Sequence, residues 1–531
     1  MTVANVATRL DVDVAVVGSG FSGAIAALAL CQRGRRVALI ERGRHPRFAI
    51  GESTTPLTNL LLEELADRYD LPRLRAISKW GTWQRVHPEV ACGLKRGFTF
   101  LFHHLDATFA DDDSHARQLA VAASPHDDVA DTHWYRPDFD LALVRDAEAA
   151  GAIYLDETHL DGVRDDGERM TLTGARGGRA VTIVADFVID ASGPRGFLSH
   201  ALELGESSFA SLPRTRGLYT HFADVERWDT VAPPDGEPPY PLDAAALHHV
   251  FPGGWIWILR FNNGVTSAGA ALTDPLAAEI GAADGARIWD RLLDHLPSVR
   301  AQFVGARPLL PFVHAPRIAY RCSRVVGDRW ALLPSAAGVV DPLLSTGFPL
   351  TLLGLARLLD VLETTTPGDK RRAALANYAQ QTHDELDVTA ALVGALYASM
   401  DDPALFKRLT RLYFAAASYS EAARRLGRPQ LAPGFLLHAH PRFGPELRAC
   451  AAVALDTPRD ATSARTALFD RIDRAIAPFD TAGLLDRTRR DWYPVLASDL
   501  IANAAKLAAS TEEVERLLER CGFTRKPVPG V

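Results

Sequence analysis

One stretch near the start of the chain, "DVDVAVVGSGFSGAIAALALCQRGRRVALIERG", limits the fold more than any other. Residues 12–17 read as a short β-strand, and Gly18, Gly20 and Gly23 follow as a G-x-G-x-x-G. Residues 24–33 read as a helix of small side chains that Gly34 closes. Residues 37–40 are a second strand, ending in Glu41. Gly18 permits the tight turn, Gly20 lets a pyrophosphate approach the backbone, and Gly23 lets helix and strand touch. Ser19, Phe21 and Ser22 complete the loop, and the helix start presents free N–H groups and a partial positive charge to phosphate. Glu41, with Arg42 behind it, is placed to accept from a ribose hydroxyl. The stretch predicts a Rossmann-type unit that binds a dinucleotide.

The alternation of strand and helix continues. "RFAIGESTTP" sets a second glycine–hydroxyl loop, with Gly51, Glu52 and Ser53, just after the acid-bearing strand. Residues 141–150 read as a helix leading to another strand, and "ADFVIDASGPRGFLS" as a strand that ends at Asp190 with Gly193 beyond it. Short alternating runs within 205–320 ("GLYTHFADV", "ALHHVFPGGWIWILRF", "GVTSAGAAL") predict an inserted antiparallel sheet. Beyond the break "TTTPGDK" the pattern is helix after helix. Asp402-Pro403 marks one start, Gly427 with Pro429 a stop, and Ser510 with Glu513 a capping box. The expected class is α/β, with a nucleotide-binding module over 1–365, its inserted sheet at about 205–320, and a helical region over 366–531.

Composition excludes several partners. The chain of 531 residues has a net charge of −7 and no basic stripe, so nucleic acid is not expected. Its five cysteines stand apart with no C-x-x-C, which fits a reducing compartment and no metal site. Neither apolar window reads as a membrane span. Residues 14–31 carry three glycines, and 331–356 carry Asp341 and three prolines. With no basic-then-apolar leader, the expected location is cytoplasmic.

A third loop breaks the second apolar window: "GVVDPLLSTGFPL", residues 338–350. Pro342 fixes the backbone after Asp341, and Ser345, Thr346 and Gly347 precede a helix expected over 348–359. A loop rich in free N–H groups at a helix start is an anion site. The plainer reading makes Ser345 or Thr346 a side-chain cap, which leaves the same amides available.

With these pieces in place the sequence resembles the FAD-dependent halogenases, a branch of the flavin monooxygenases, over about residues 10–365. Four motifs carry the resemblance: GSGFSG with Glu41; Gly51-Glu52-Ser53; "CGLKRGFTF", which sets Lys95 where the family's active-site lysine falls; and Asp341-Pro342-Leu343-Leu344-Ser345-Thr346-Gly347. The resemblance implies FAD held by the first loop, Glu41 and Arg42, the strap Gly51–Ser53, Asp190, Gly193, Ser335, and Asp341, Pro342, Thr346 and Gly347. It implies chloride or bromide on the amides of Ser345, Thr346 and Gly347. A separate flavin reductase would supply reduced FAD. Hypohalous acid, made with O2, would pass through a tunnel to Lys95, which hydrogen-bonds it or becomes a haloamine. The acceptor would be an electron-rich aromatic, free or on an acyl carrier protein, under a helical C-terminal cap.

The sequence departs from the family pattern at three points. Trp255 and Trp257 match a W-x-W-x-I-P motif, whose two indoles would wall the flavin from substrate, but Leu259-Arg260 replace Ile-Pro. A half-buried strand explains the two tryptophans equally well. Pro334-Ser335 replace a Gly-Asp that binds a flavin-chain hydroxyl, which implies looser FAD. Leu344 stands where tryptophan-specific members carry Glu, which points to phenols, pyrroles or carrier-bound acyl groups. Two other readings stay open: a monooxygenase or oxidoreductase that forms no carbon–halogen bond, and a flavin-binding partner without turnover. Arg214, Arg216, His221, His248 and His249, and the loop 431–444, read as structural.

Overall fold

A computed structural model of the protein describes residues 8–281, 284–458 and 460–523. The first strand, Thr8–Val17, starts earlier than expected and lies centrally in a sheet. The order is Ile153–Leu155, Val37–Ile40, Thr8–Val17, Arg179–Asp190, with Trp330–Leu332 parallel to the end of the last. Strand Val37–Ile40 is buried along its whole length, as a parallel strand covered on both faces must be. Two antiparallel strands, Met170–Arg176 and Thr158–Asp165, extend the sheet from the first half of Arg179–Asp190. In the parallel part Val17 is level with both Ile40 and Asp190, and Asp190 with Leu332. Gly18, Glu41 and Ala191 therefore leave the sheet along one edge, where open α/β sheets bind ligands. The helix Phe21–Gln32 begins directly after Gly20, and every residue from Phe21 to Leu30 is buried.

The second sheet is larger than the segment 205–320. Thr215–Ala223, Thr266–Thr273, Gly254–Arg260 and Ala246–Phe251 pair antiparallel, as the alternating runs predict. Ala246–Phe251 then pairs parallel with Gly97–Phe102, which pairs with Gln118–Ala122, which in turn pairs parallel with Trp492–Tyr493. The sheet thus draws strands from before the insertion and from the C-terminal region. Each strand of "GFTFLF" type is buried on both faces, so nothing in its pattern marks which sheet it joins.

The helix Gly347–Thr364 ends the nucleotide module, and the C-terminal region that follows is mostly helical, with long helices at Asp369–Ala398 and Pro403–Arg425. Asp402 caps the last of these through Leu405 N–H, and Ser510 with Glu513 forms the capping box of Thr511–Arg520. Leu355, Leu392 and Leu412 share one apolar core with Val16 and Leu39 of the nucleotide module. A second core, around Ile256, Ile258 and Trp289, backs the larger sheet. The five cysteines are unpaired. Among the described residues no helix is long and apolar enough to cross a membrane.

Candidate active site

The dinucleotide loop is built by close approach. A Cβ on Gly23 would lie 1.9 Å from Gly18 O, and one on Gly18 (φ +97°) 2.6 Å from Ala191 O. Glu41 is already bound to this loop. Its Oε2 accepts from Ser19 N–H (3.1 Å) and Ser19 O–H (2.9 Å), and its Oε1 from Gly43 N–H (2.9 Å). Burial pushes this carboxyl up, but Arg47 at 3.2 Å and these donors outweigh it and hold it below its ordinary value. Arg42 is exposed, whereas Arg47 faces the loop.

Sequence reasoning missed Arg136. Its guanidinium forks onto Asp140, both bonds 2.8 Å, and donates to Ile50 O and Gly51 O. It lies 5.2 Å above the Phe21 ring and 3.4 Å from where a Gly20 Cβ would stand. The readable signal is an Arg and an Asp four apart at a helix start. Asp190 has a structural duty as well. It accepts from Ser192 N–H, Ser192 O–H and Leu198 N–H (2.9, 2.5 and 2.7 Å), so it shapes the turn that presents Gly193 (φ +82°). Ser335 lies in a one-turn helix, Pro334–Ala337, where its carbonyl accepts from Tyr320 O–H.

The third loop is pinned from three directions. Asp341 Oδ1 accepts from Leu343 N–H at 3.0 Å, and Oδ2 from Tyr397 O–H at 2.9 Å. Tyr397 Oη accepts from Trp255 Nε1–H at 3.0 Å. Burial raises the Asp341 carboxyl to about 7. Ser345 takes a positive φ of 53°, with its N–H on Pro342 O. Thr346 precedes the helix Gly347–Thr364, and its side chain makes no cap. Among the described residues the amides of Thr346, Gly347 and Phe348 find no acceptor within the chain. The Phe348 ring lies 4.9 Å from Phe21 and 4.2 Å from Trp134, which fastens this loop to the dinucleotide loop.

Between these loops and the larger sheet runs the strap. Glu52 is 3% exposed. Its Oε1 lies 2.8 Å from His221 Nε2, and its Oε2 is buried without a partner. The next residue, Ser53, serves the opposite face, as neighbours on an extended chain do. Lys95, at 0% exposure, donates to Ser53 Oγ (2.9 Å) and Thr54 O (2.5 Å). Its Nζ stands 3.7 Å from the centre of the Phe98 ring. Burial lowers this amine to about 7, with Asp131 pulling in the other direction. Asp131 is opposite Lys95 in the short ladder between Cys92–Lys95 and Asp131–Trp134.

Phe98 is also part of the wall of a cavity of about 190 Å³. Tyr413 and Phe414 of the helix Pro403–Arg425, with Leu517 and Leu518 near the end of the described chain, supply much of the rest. Lys79, Glu421 and Arg425 are its charged members. The indoles of Trp255 and Trp257 stand side by side with ring centres 5.5 Å apart, on one face of their strand. Arg260, at the position of the motif's proline, clamps the neighbouring loop by donating to Asp243 Oδ1, Val225 O and Glu226 O (2.8, 2.8 and 2.6 Å). His249 lies 2.9 Å from both His103 and Gln302. The loop 431–444 packs Phe435, Leu436 and Leu437 into the core.

FAD fits these residues. Open backbone at Gly20 beside two guanidinium groups suits a pyrophosphate. Glu41 suits a ribose, and the buried free oxygen of Glu52 suits a donor on the ring or its chain.

The comparisons with known proteins agree. A family model for FAD dependent oxidoreductases matches residues 13–331. Monodechloroaminopyrrolnitrin halogenase PrnC of Pseudomonas fluorescens is 31% identical over 411 residues, 76% of this chain and 70% of that protein. Tetracycline 7-halogenase of Kitasatospora aureofaciens is 32% identical over 354 residues, 64% of this chain and 61% of that one. The crystal structure of halogenase PltM with phloroglucinol and FAD superposes with a TM-score of 0.81 at 25% identity, covering 90% of this chain and 99% of PltM. The chain belongs to the FAD dependent oxidoreductase family. Within that family it is a flavin-dependent halogenase, an oxidoreductase that uses reduced FAD, O2 and a halide.

Proposed function

We propose that this enzyme installs chlorine or bromine on a free, electron-rich aromatic of phenol or pyrrole type, with Lys95 handling the hypohalous acid. Bound reduced FAD supplies, with O2, the oxidising equivalents that turn halide into hypohalous acid. The chain's own residues do the rest. The unsatisfied amides of Thr346, Gly347 and Phe348, beside Ser345, hold the halide anion at a helix start. The clamp of Tyr397 and Leu343 on Asp341 keeps that loop in place. The paired indoles of Trp255 and Trp257 wall it from bulk solvent.

The observation that carries the reading is the setting of Lys95. It is a fully buried amine with two neutral acceptors, lying against the ring that forms part of the cavity wall. Its lowered pKa leaves a large share of free amine near neutrality, the form that attacks an electrophilic halogen. Asp131 Oδ2 and His133 Nδ1, on the face of the ladder that carries Lys95, are buried without partners among the described residues. Such free polar atoms beside the amine support a path for a small polar solute such as hypohalous acid. The apolar wall supports an aromatic acceptor, and Leu344, buried at the loop, supports a ring already activated by its own substituents. Phloroglucinol, bound in the similar PltM structure, is such a ring.

The test incubates the enzyme with a flavin reductase, bromide or chloride, and separate phenols, pyrroles and indoles. A pyrrole acyl group on a carrier protein forms its own arm. Halide-dependent mass shifts on free rings, lost in Lys95→Ala while flavin oxidation continues, are expected. Turnover confined to the carrier arm would overturn the free-substrate part. Undiminished product from Lys95→Ala would overturn the lysine role.

A further inference from the structure

Lys95 and Asp131 face one another across a two-stranded ladder, where opposed Cβ atoms stand about 4.5–5.5 Å apart. Asp131 is 2% exposed. Its Oδ1 accepts from Asn59 Nδ2–H at 2.7 Å, while Oδ2 has no partner. Lys95 spends two hydrogens on Ser53 and Thr54, so one N–H of an ammonium is left over in the same buried layer. We propose that Asp131 is the proton partner of Lys95, exchanging one proton with it during halogen transfer; this rests on the reading that Lys95 takes up the halogen.

Electrostatics agree with this geometry. Burial pushes the amine down and the carboxyl up, each opposed by the other's charge, so the proton is held between two groups of similar affinity. His133 and His248, the other titratable neighbours of Lys95, are themselves held neutral by burial. Glu421, Arg425 and Lys79 act on Asp131 from the cavity side, where Glu421 and Arg425 are paired with each other and Lys79 with Glu63. The buried carboxyl opposite the amine stands on the strand Asp131–Trp134.

The neutral amine attacks the halogen of hypohalous acid, so an N–halogen bond forms and the O–halogen bond breaks. The departing hydroxide takes a proton from the new haloammonium and leaves as water, so a neutral haloamine faces the Asp131 carboxylic acid. That acid protonates the haloamine. When the aromatic ring takes the halogen, the N–halogen pair returns to nitrogen; the amine accepts the proton the ring sheds and hands one proton back to the Asp131 carboxylate. Asp131 acts through Lys95 and is a positioning residue for its proton.

The experiment labels the six lysines of the full chain with 13C and follows their ε-carbons against pH, with Lys95→Arg identifying the Lys95 signal. A midpoint near neutrality is expected in the native chain, moving down by about one unit or more in Asp131→Asn, because a counter-charge is lost. A native midpoint near that of an exposed lysine, or no movement in the variant, overturns the proposal. The second reading compares halogenated phloroglucinol per FAD oxidised. A loss of about 100-fold or more in Asp131→Asn, with flavin oxidation unchanged, is expected for a lost proton-transfer partner. Full yield in Asp131→Asn alongside an inactive Lys95→Ala overturns the proton role and leaves the lysine reading standing. Full yield in Lys95→Ala overturns both.

Discussion

Trp255 on the larger sheet and Tyr397 on a C-terminal helix are joined by a 3.0 Å hydrogen bond that continues, through the same phenol oxygen, to Asp341. The first indole of the tryptophan pair therefore helps to hold the loop expected to carry flavin and halide. Tyr397→Phe leaves Asp341 Oδ2 and Trp255 Nε1 buried and unpaired. Its expected cost is about 1–3 kcal/mol in unfolding free energy, read from urea midpoints, together with weaker FAD binding by fluorescence titration. Native values for both measurements would mean that the bond contributes nothing.

Asp341 gives a pH test. Its folded carboxyl keeps its proton up to about 7, whereas the unfolded carboxyl loses it near 3.8. Between those values the folded chain binds the extra proton. The stability this site contributes is full below the unfolded value and falls as pH rises toward 7, by at most about 1.4 kcal/mol per pH unit. Asp341→Asn lacks the proton. The stability of the native chain minus that of the variant should therefore decline from pH 4.5 to 7.5 in urea titrations. Parallel curves would show a carboxyl that titrates normally.

Two glycines separate folding from binding. A Cβ at Gly23 meets Gly18 O at 1.9 Å, so Gly23→Ala should abolish FAD binding and lower the melting temperature. At Gly347 the space a Cβ would take is open, with no heavy atom within 4 Å, and the backbone is not left-handed. Gly347→Ala should therefore fold and melt like the native chain. If an anion rests on its amide, the variant's KM for bromide rises several-fold. An unchanged KM would remove Gly347 from the halide site.

Arg260→Pro restores the residue that the family motif carries, and it is expected to harm this protein. Arg260 donates to Asp243, whose side chain is wholly buried, and to two loop carbonyls. Leaving that carboxylate unpaired costs about 3–5 kcal/mol. Denaturant midpoints would show it, and an equal or higher midpoint would mean that the clamp is dispensable.

What the sequence made legible is what contiguous residues encode. The glycine fingerprint, the strap, the lysine strand and the Asp341 loop are each contiguous motifs of fewer than ten residues, so each could be named before the fold was known. Arg136, Tyr397, His221 and Asp131 are different. Each is an ordinary residue until the fold supplies its neighbour, as when His221 meets Glu52 across 169 positions. The larger sheet escaped the reading for a related reason. A strand buried on both faces carries no alternation to mark its partner, so the run at Gly97–Phe102 could not be assigned to the sheet around Trp255.

That sheet's far edge is Trp492–Tyr493, laid beside Gln118–Ala122. A ribosome makes one half of this ladder long before the other. Throughout the interval the nascent chain carries a strand with unpaired amides and carbonyls on one side, a ready template for sticking to other chains. Chaperone demand and inclusion-body formation during expression should concentrate there, and chains cut short of residue 492 should suffer most.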